Sequence, residues 1–273
     1  MIYRRPASVH ITDSEYLSVY GSVTAAKEKL FNIGAGTWQH DYWTNIDLPA
    51  QSEEFAKIQA PCIFHDLIEN DDLPIEPNSA ELLYTSHVIE HIPDFHANKL
   101  FVAAHRSMKP GGIFRVVTGP DADTDFAALQ RQDPRWWFFY DDTDFQTVTE
   151  KNPVLTLADK WLLHFATPRS EYSNTPCDRK YNSDEIETIL KRFESDNEQL
   201  KNYFTNGLDF NINSPGDHLS WWNAEKLIDQ LKKAGFRIVE KSSYGQSRSS
   251  FMRDLISFDT TYPQISLYVE AVK

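Results

Sequence analysis

The stretch KLFNIGAG, residues 29–36, decides how the rest of the chain reads. A short apolar run ending in two glycines is a buried strand passing into a tight turn, because glycine accepts the backbone angles and close approach that such a turn needs. Working outward, TNIDL (44–48) and APCIFHDL (60–67) read as a second and a third strand. SAELLYTSHVIEHI (79–92) holds a fourth, Glu81–Thr85, that runs into a turn and a helix start. Asp94–Met108 is a helix: Leu100, Val102, Ala103, Ala104 and Met108 recur at roughly helical spacing, and Lys109-Pro110-Gly111-Gly112 stops it. GIFRVVTGP (112–120) is a fifth strand. Near the C-terminus, WWNAEKLIDQLKKAGF (221–236) is an amphipathic helix, and FRIVEKSSYG (236–245) and QISLYVEAVK (264–273) are strands. Strands alternating with helices imply an α/β fold, a mostly parallel sheet covered on both faces.

Residues 1–28 read as a lead segment, with a helix-like stretch near Thr24–Leu30. The core then occupies 29–120 and 220–273, and 121–219 is an insertion rich in aromatic clusters and acidic pairs. An insertion of that length is too long for a bare loop and must fold over the core.

Composition narrows the function classes. The chain has 273 residues, 41% of them hydrophobic and 13% aromatic, enough to build a core. It carries 27 Lys plus Arg against 40 Asp plus Glu, a net charge of −13. Phosphate-tracking proteins rely on basic stripes, so neither nucleic acid nor an anionic membrane is the expected partner. Two cysteines, Cys62 and Cys177, exclude a disulfide scaffold and a Cys-rich zinc site. The first residues contain no apolar run of secretory type, and no stretch approaches the ~20 apolar residues that span a bilayer. A cytoplasmic protein acting on a small molecule is the expectation, and a homodimer is compatible with it.

The chemistry concentrates at the strand ends. In FNIGAGT (31–37) the third glycine of a dinucleotide fingerprint is replaced by Gln39, which argues for a ligand without a pyrophosphate. Asp47, ending the second strand, is placed to accept from both hydroxyls of a ribose. Asp66 beside Leu67 can accept from an adenine amino group while the leucine packs on the ring.

NIGAG, NID, SAELLYTSHVIEHIPD and HRSMKPGGIFRVV, in this order and spacing, resemble the successive motifs of class I methyltransferases that use S-adenosylmethionine (SAM). The resemblance covers about 29–120, and the closing helix, strand and antiparallel strand at 220–273 are similar to the end of that fold. It implies a Rossmann-like, doubly wound, mostly parallel sheet with an antiparallel last strand, the insertion serving as an aromatic-rich lid. It further implies SAM as cofactor and S-adenosylhomocysteine as product. Asn32, Gly34 and Gly36 would shape the methionine end, Asp47 would hold the ribose, Asp66 and Leu67 would flank the adenine, and Ser86 and His87 would line the pocket near the methyl group. The family often has an acidic residue where Asn32 stands; asparagine accepts a hydrogen bond there without the charge.

Three further features bear on the acceptor. His87-Val88-Ile89-Glu90-His91 matches H-x-x-E-H, a zinc-hydrolase pattern when it lies on a helix. Some relatives of the resembled family place a divalent metal at this point, so His87, Glu90 and His91 form one candidate metal set. A helix-capping network is the plainer alternative. GDHLSWW (216–222) supplies His218, with His91 and Glu90 the candidate catalytic groups for taking a proton from an acceptor hydroxyl. His164, Arg169, Arg248, Arg253 and Asp259 are polar candidates for acceptor binding, and Trp136, Trp137, Tyr140, Trp161 and Phe165 for its walls. GDH, YGQS and SLYVEA are similar to bacterial methyltransferases of surface-polysaccharide synthesis, implying O-methylation of a sugar or of a phosphorylated or nucleotide-linked precursor. A non-catalytic SAM-binding module is the remaining alternative.

Overall fold

The computed structural model describes residues 11–141, 155–193 and 196–273. They form two compact units: one made of the chain up to Val88 with Phe95–Gly119 and Ala224–Lys273, the other of Ile89–Asp94 and Pro120–Asn223. The short loop 89–94, which lies inside the predicted core, thus clusters with the insertion.

The first unit is built on a seven-stranded sheet, β1 (Leu30–Ile33), β2 (Thr44–Asp47), β3 (Ile63–Phe64), β4 (Ala80–Ser86), β5 (Met108–Thr118), β6 (Ile238–Lys241) and β7 (Leu267–Val272), in the order β3-β2-β1-β4-β5-β7-β6. β1 to β5 pair in parallel; β7 is antiparallel to both β5 and β6. The doubly wound, Rossmann-like reading of the sequence is therefore correct. All four β1 residues are buried, as continuous apolar runs in a parallel sheet require, and the exposed strands β3 and β6 lie at the two edges. β3 is only two residues long, although APCIFHDL reads as a full strand.

The predicted stop at Lys109-Pro110-Gly111-Gly112 takes a different form. The helix Asp94–Ser107 ends before it, and the four residues are carried inside β5 as a bulge. Ala80 on β4 pairs with Met108, but the next partner pair is Leu82 with Ile113, so residues 109–112 loop out of the ladder. Gly111 takes a φ of +82° to do so, and the bulge is pinned by hydrogen bonds between Gly111, Gly112 and Lys273.

The lead segment does more than precede the core. Helix α1 (Asp13–Tyr20) is followed at once by α2 (Val23–Lys27), so the helix-like stretch stops three residues short of Leu30, which opens β1. Tyr16 is buried, stacks on Tyr42 at 4.4 Å between ring centroids, and accepts a hydrogen bond from the Trp43 indole. With Tyr84, Phe258 and Tyr268 these rings form an aromatic core. Little periodicity announces it, because α1 buries one residue only.

The main polar feature of this interior is Arg115 on β5, fully buried. Its guanidinium donates to both carboxylate oxygens of Asp259, at 3.0 and 2.5 Å, and to Glu270 directly across on β7 at 3.1 Å. Asp259, a candidate for acceptor binding, is thus committed to the sheet.

The second unit is helical. It contains a helix over Ala122–Gln130, a 3₁₀ segment starting at Pro134, and helices over Leu157–Leu163, Ser183–Arg192 and Asn197–Thr205. Two of these open with reciprocal capping, Thr156 with Asp159 and Asn182 with Glu185. Trp161, Phe165 and Phe204 are buried against one another, with Trp161 edge-on to Phe165 at 4.7 Å, and Trp137 is buried against the His164 ring. Three aromatics read as pocket walls, Trp137, Trp161 and Phe165, are therefore this unit's own core. Trp136 donates to Asp125 at 2.7 Å; the Tyr140 side chain lies outside the described residues. Among the described residues, no helix is long and apolar enough to cross a membrane.

Arg115→Met leaves Asp259 and Glu270 buried without their cation. It should cost ~3–5 kcal/mol of stability at neutral pH by urea denaturation.

Candidate active site

The turn after β1 is held from β2. Gly34 N–H donates to the Ile46 carbonyl at 2.8 Å, and Gly36 N–H donates to the Asp47 carboxylate at 2.6 Å. The second Asp47 oxygen accepts from Leu48 N–H at 2.7 Å. Burial holds the Asp47 carboxyl above the usual carboxylate range, and these two N–H groups partly offset it. Each oxygen retains lone-pair capacity, so the carboxylate can hold the turn and accept further hydrogen bonds.

The two glycines serve different needs. Gly34 has a φ of +71°, and a Cβ there would stand 2.1 Å from Val88 Cγ2. Gly36 has a φ of +56° with nothing within 4 Å of such a Cβ, so its backbone offers open space for a ligand to lie against. Asn32 is buried on β1 between Asn45 and Tyr84 of the neighbouring strands. Asp66 accepts from Ile68 N–H at 2.8 Å and so shapes the turn that carries Leu67. Ser86 ends β4, the strand next to β1.

His87 departs from the sequence reading. It adopts a φ of +55°, and its Nε2 bonds the Ser266 hydroxyl at 2.9 Å and the Thr261 carbonyl at 3.2 Å. Its ring lies where a Cβ on Gly119 would be, 2.6 Å from Cε1. The segment 86–91 is a strand end, a left-handed residue and a single 3₁₀ turn, Ile89–His91. H-x-x-E-H therefore does not lie on a helix, and the zinc-hydrolase reading fails on geometry. His87 also falls outside the metal-competent group.

That group instead combines Glu90, His91 and His218 in the second unit, with one donor atom from each within 4.8 Å of the others. The imidazoles of His91 and His218 meet edge to face at 4.7 Å. His91 Nδ1–H donates to the Asp217 carbonyl at 3.1 Å, and His218 Nδ1–H to the His164 carbonyl. Leu219 N–H donates to the Glu90 carbonyl at 2.8 Å, tying the two chain segments together. Burial pulls the His218 pKa down to about 3, so the ring is neutral at ordinary pH.

The remaining candidates have structural partners. His164 is buried with Nδ1 2.7 Å from the Asp125 carboxylate. Arg169 is buried, donating to the Phe204, Arg179 and Asn206 carbonyls and to Asp178, so it staples the second unit instead of facing an acceptor. Arg248 is an exposed partner of Glu240 at 2.6 Å, and Arg253 donates to the Ser247 carbonyl. Sequence reasoning missed Val88, which fits against Gly34, and Arg115. A charge breaking the apolar run IFRVV, matched by Glu270 in LYVEAV, was the available signal for Arg115.

Residues 29–241 match the family model described as a methyltransferase domain, which spans more than half of the chain. The chain belongs to this methyltransferase family. Its cofactor is S-adenosylmethionine, and the glycine turn, the open face of Gly36 and the carboxylate of Asp47 suit that group. No curated protein matches the sequence. Among solved structures, the chain is similar to a SAM-dependent methyltransferase from Thermotoga maritima described as a possible histamine N-methyltransferase, at 11% identity and a TM-score of 0.38, covering 95% of this chain and 94% of that one. It is also similar to an S-adenosylmethionine-dependent methyltransferase from Mesorhizobium loti, at 14% identity and a TM-score of 0.41, covering 90% of each chain. Phosphoethanolamine N-methyltransferase 2 from Haemonchus contortus, solved with S-adenosyl-L-methionine, matches at 14% identity and a TM-score of 0.39, over 90% of this chain and 48% of that one.

Gly34→Ala should destabilise the methyltransferase by more than Gly36→Ala. Both incur ~1–2 kcal/mol for a left-handed alanine, and Gly34→Ala adds ~1–3 kcal/mol of overpacking against Val88. Combining Gly34→Ala with Val88→Ala should recover part of that second cost in thermal denaturation, whereas Gly36→Ala with Val88→Ala should recover none.

Proposed function

We propose that this methyltransferase transfers the SAM methyl group to an oxygen of a small polar acceptor, a sugar or a phosphorylated or nucleotide-linked precursor of a surface polysaccharide. The observation that carries the donor half is the coupling of the Gly34–Gly36 turn to the Asp47 carboxylate. Asp47 accepts from the ribose hydroxyls, Asn32, Gly34 and Gly36 shape the methionine end, Asp66 and Leu67 flank the adenine, and Ser86 lines the pocket. His87 contributes by fixing the turn after β4. When bound, the cofactor supplies an electrophilic methyl: the S–CH₃ bond breaks toward sulfur, an O–CH₃ bond forms, and S-adenosylhomocysteine is left.

The acceptor half rests on the second unit. The net charge of −13 disfavours a nucleic acid, and the trio Glu90, His91 and His218 offers the polar chemistry that a hydroxyl acceptor needs. A hydroxyl must lose its proton as the methyl arrives. His218 does not take that proton alone, because a group with a pKa near 3 is a weak base at neutral pH. Proton removal is therefore assigned to the trio acting together. A reducing compartment such as the cytoplasm suits the two free thiols, Cys62 and Cys177.

Calorimetric titration with SAM and S-adenosylhomocysteine tests the donor half. Saturable binding is expected, with Asp47→Ala weaker by roughly 10- to 100-fold, as for a lost hydrogen bond to a charged group. Because burial raises the Asp47 pKa, wild-type affinity should fall on acidification earlier than an exposed aspartate would cause, and Asp47→Asn should lack that step. Absence of binding in folded protein freed of carried-over cofactor would overturn these assignments. Methyl transfer from labelled SAM to sugars and sugar phosphates tests the acceptor half: labelling of amines alone would refute oxygen as the target.

A further inference from the structure

We propose that Glu90, His91 and His218 form a binding site for a divalent transition-metal ion, held by the Glu90 carboxylate and the Nε2 atoms of the two histidines. Three observations carry the site. First, one donor atom of each residue lies within 4.8 Å of the others. A tetrahedral zinc ion with bonds of ~2.0–2.1 Å sets its donors ~3.3 Å apart. Side-chain rotations of the two histidines and Glu90 would bring the set to that spacing.

Second, both imidazoles are fixed in the tautomer that a metal requires. His91 Nδ1–H is held by the Asp217 carbonyl and His218 Nδ1–H by the His164 carbonyl, which leaves each Nε2 with its lone pair. A metal-binding histidine usually donates its other N–H to a carbonyl or carboxylate, which fixes the ring and raises its basicity as a ligand. Third, the frame is rigid. Leu219 and Ser220 N–H donate to the Glu90 carbonyl, His218 N–H donates to the Thr167 hydroxyl, and His164 is itself anchored to Asp125. Segments distant in sequence are thereby set in one arrangement before any ion arrives.

The donor set selects the ion. Two imidazoles and one carboxylate favour zinc, cobalt, nickel or iron over magnesium and calcium, which prefer all-oxygen shells. A two-histidine, one-glutamate set also leaves a coordination position open, as catalytic zinc sites do. An acceptor hydroxyl bound at that position would release its proton to solvent more readily, and with the ion in place Glu90, His91 and His218 would serve as its ligands and no longer as the base. This consequence rests on the proposed methyl transfer to oxygen, whereas metal binding itself does not.

The test uses the full chain, stripped with a chelator and dialysed. Titration with Zn²⁺ by calorimetry and with Co²⁺ by visible absorption should give one ion per chain, undisturbed by millimolar Mg²⁺. His218→Ala and Glu90→Gln should each weaken binding at least about 100-fold, with His91→Gln as a third variant and circular dichroism to establish folding. His96→Ala, outside the trio, should bind as wild type. The site is overturned if no stoichiometric ion binds, or if binding in folded His218→Ala equals wild type. SAM titration of the same preparations separates the two proposals: SAM binding without metal binding removes the metal site alone, and metal binding without SAM binding keeps the site while removing the methyltransferase assignment of the donor pocket.

Discussion

The hydrogen bond from Gly36 N–H to the Asp47 carboxylate joins the ends of two adjacent parallel strands, and the shape of the glycine turn depends on it. A glycine turn alone is floppy, because glycine loses more conformational freedom on ordering than any other residue. Anchoring its amide to a buried carboxylate on the next strand offsets part of that loss. The same carboxylate keeps acceptor capacity beyond these two bonds, so one side chain both builds the turn and can take a further donor beside it. Val88 closes the other side of the turn against Gly34, where no larger residue fits.

A second constraint is electrostatic. Arg115 lies in the middle of the sheet, where an isolated charge is prohibitively costly. Asp259 and Glu270 neutralise it from two elements, a loop after β6 and the strand β7, and the Ser242 hydroxyl and Ser243 carbonyl accept its remaining protons. The network is demanding in geometry: it is satisfied only when β5, β7 and both loops are in their final register. Such a cluster favours a single arrangement of strands over near alternatives.

Much of the first unit was legible because its signals are local. KLFNIGAG, TNID and the final QISLYVEAVK carry strand patterns that survive without tertiary context, and their order suffices for the doubly wound sheet. Failures came where distant residues decide the outcome. Lys109–Gly112 has the composition of a helix stop, yet pairing with β4 and Lys273 draws it into β5 as a bulge. His87 has the spacing of a zinc ligand, yet a left-handed backbone and the Ser266 hydroxyl hold it within the first unit, apart from Glu90 and His91. Arg169 reads as a residue for acceptor binding, but it is taken up by the Phe204 and Asn206 carbonyls, more than 30 residues away, together with Asp178 and the Arg179 carbonyl, and no local pattern shows the distant pair. The insertion's tryptophans offered no periodicity, and burial alone separates core rings from pocket walls. His91 and His218, 127 positions apart, could be named singly from sequence but not paired.

The position of β7 bears on how the protein is made. It is the last strand in the chain, yet it lies inside the sheet between β5 and β6. During N-to-C synthesis every other strand is complete before residues 267–272 emerge. Until then β5 presents an unpaired edge, the kind of surface on which chains associate with one another, and Arg115 waits without Glu270. The nascent protein therefore passes through a stage with an open seam through its sheet, and a late-arriving segment closes the edge and supplies the missing countercharge in one step.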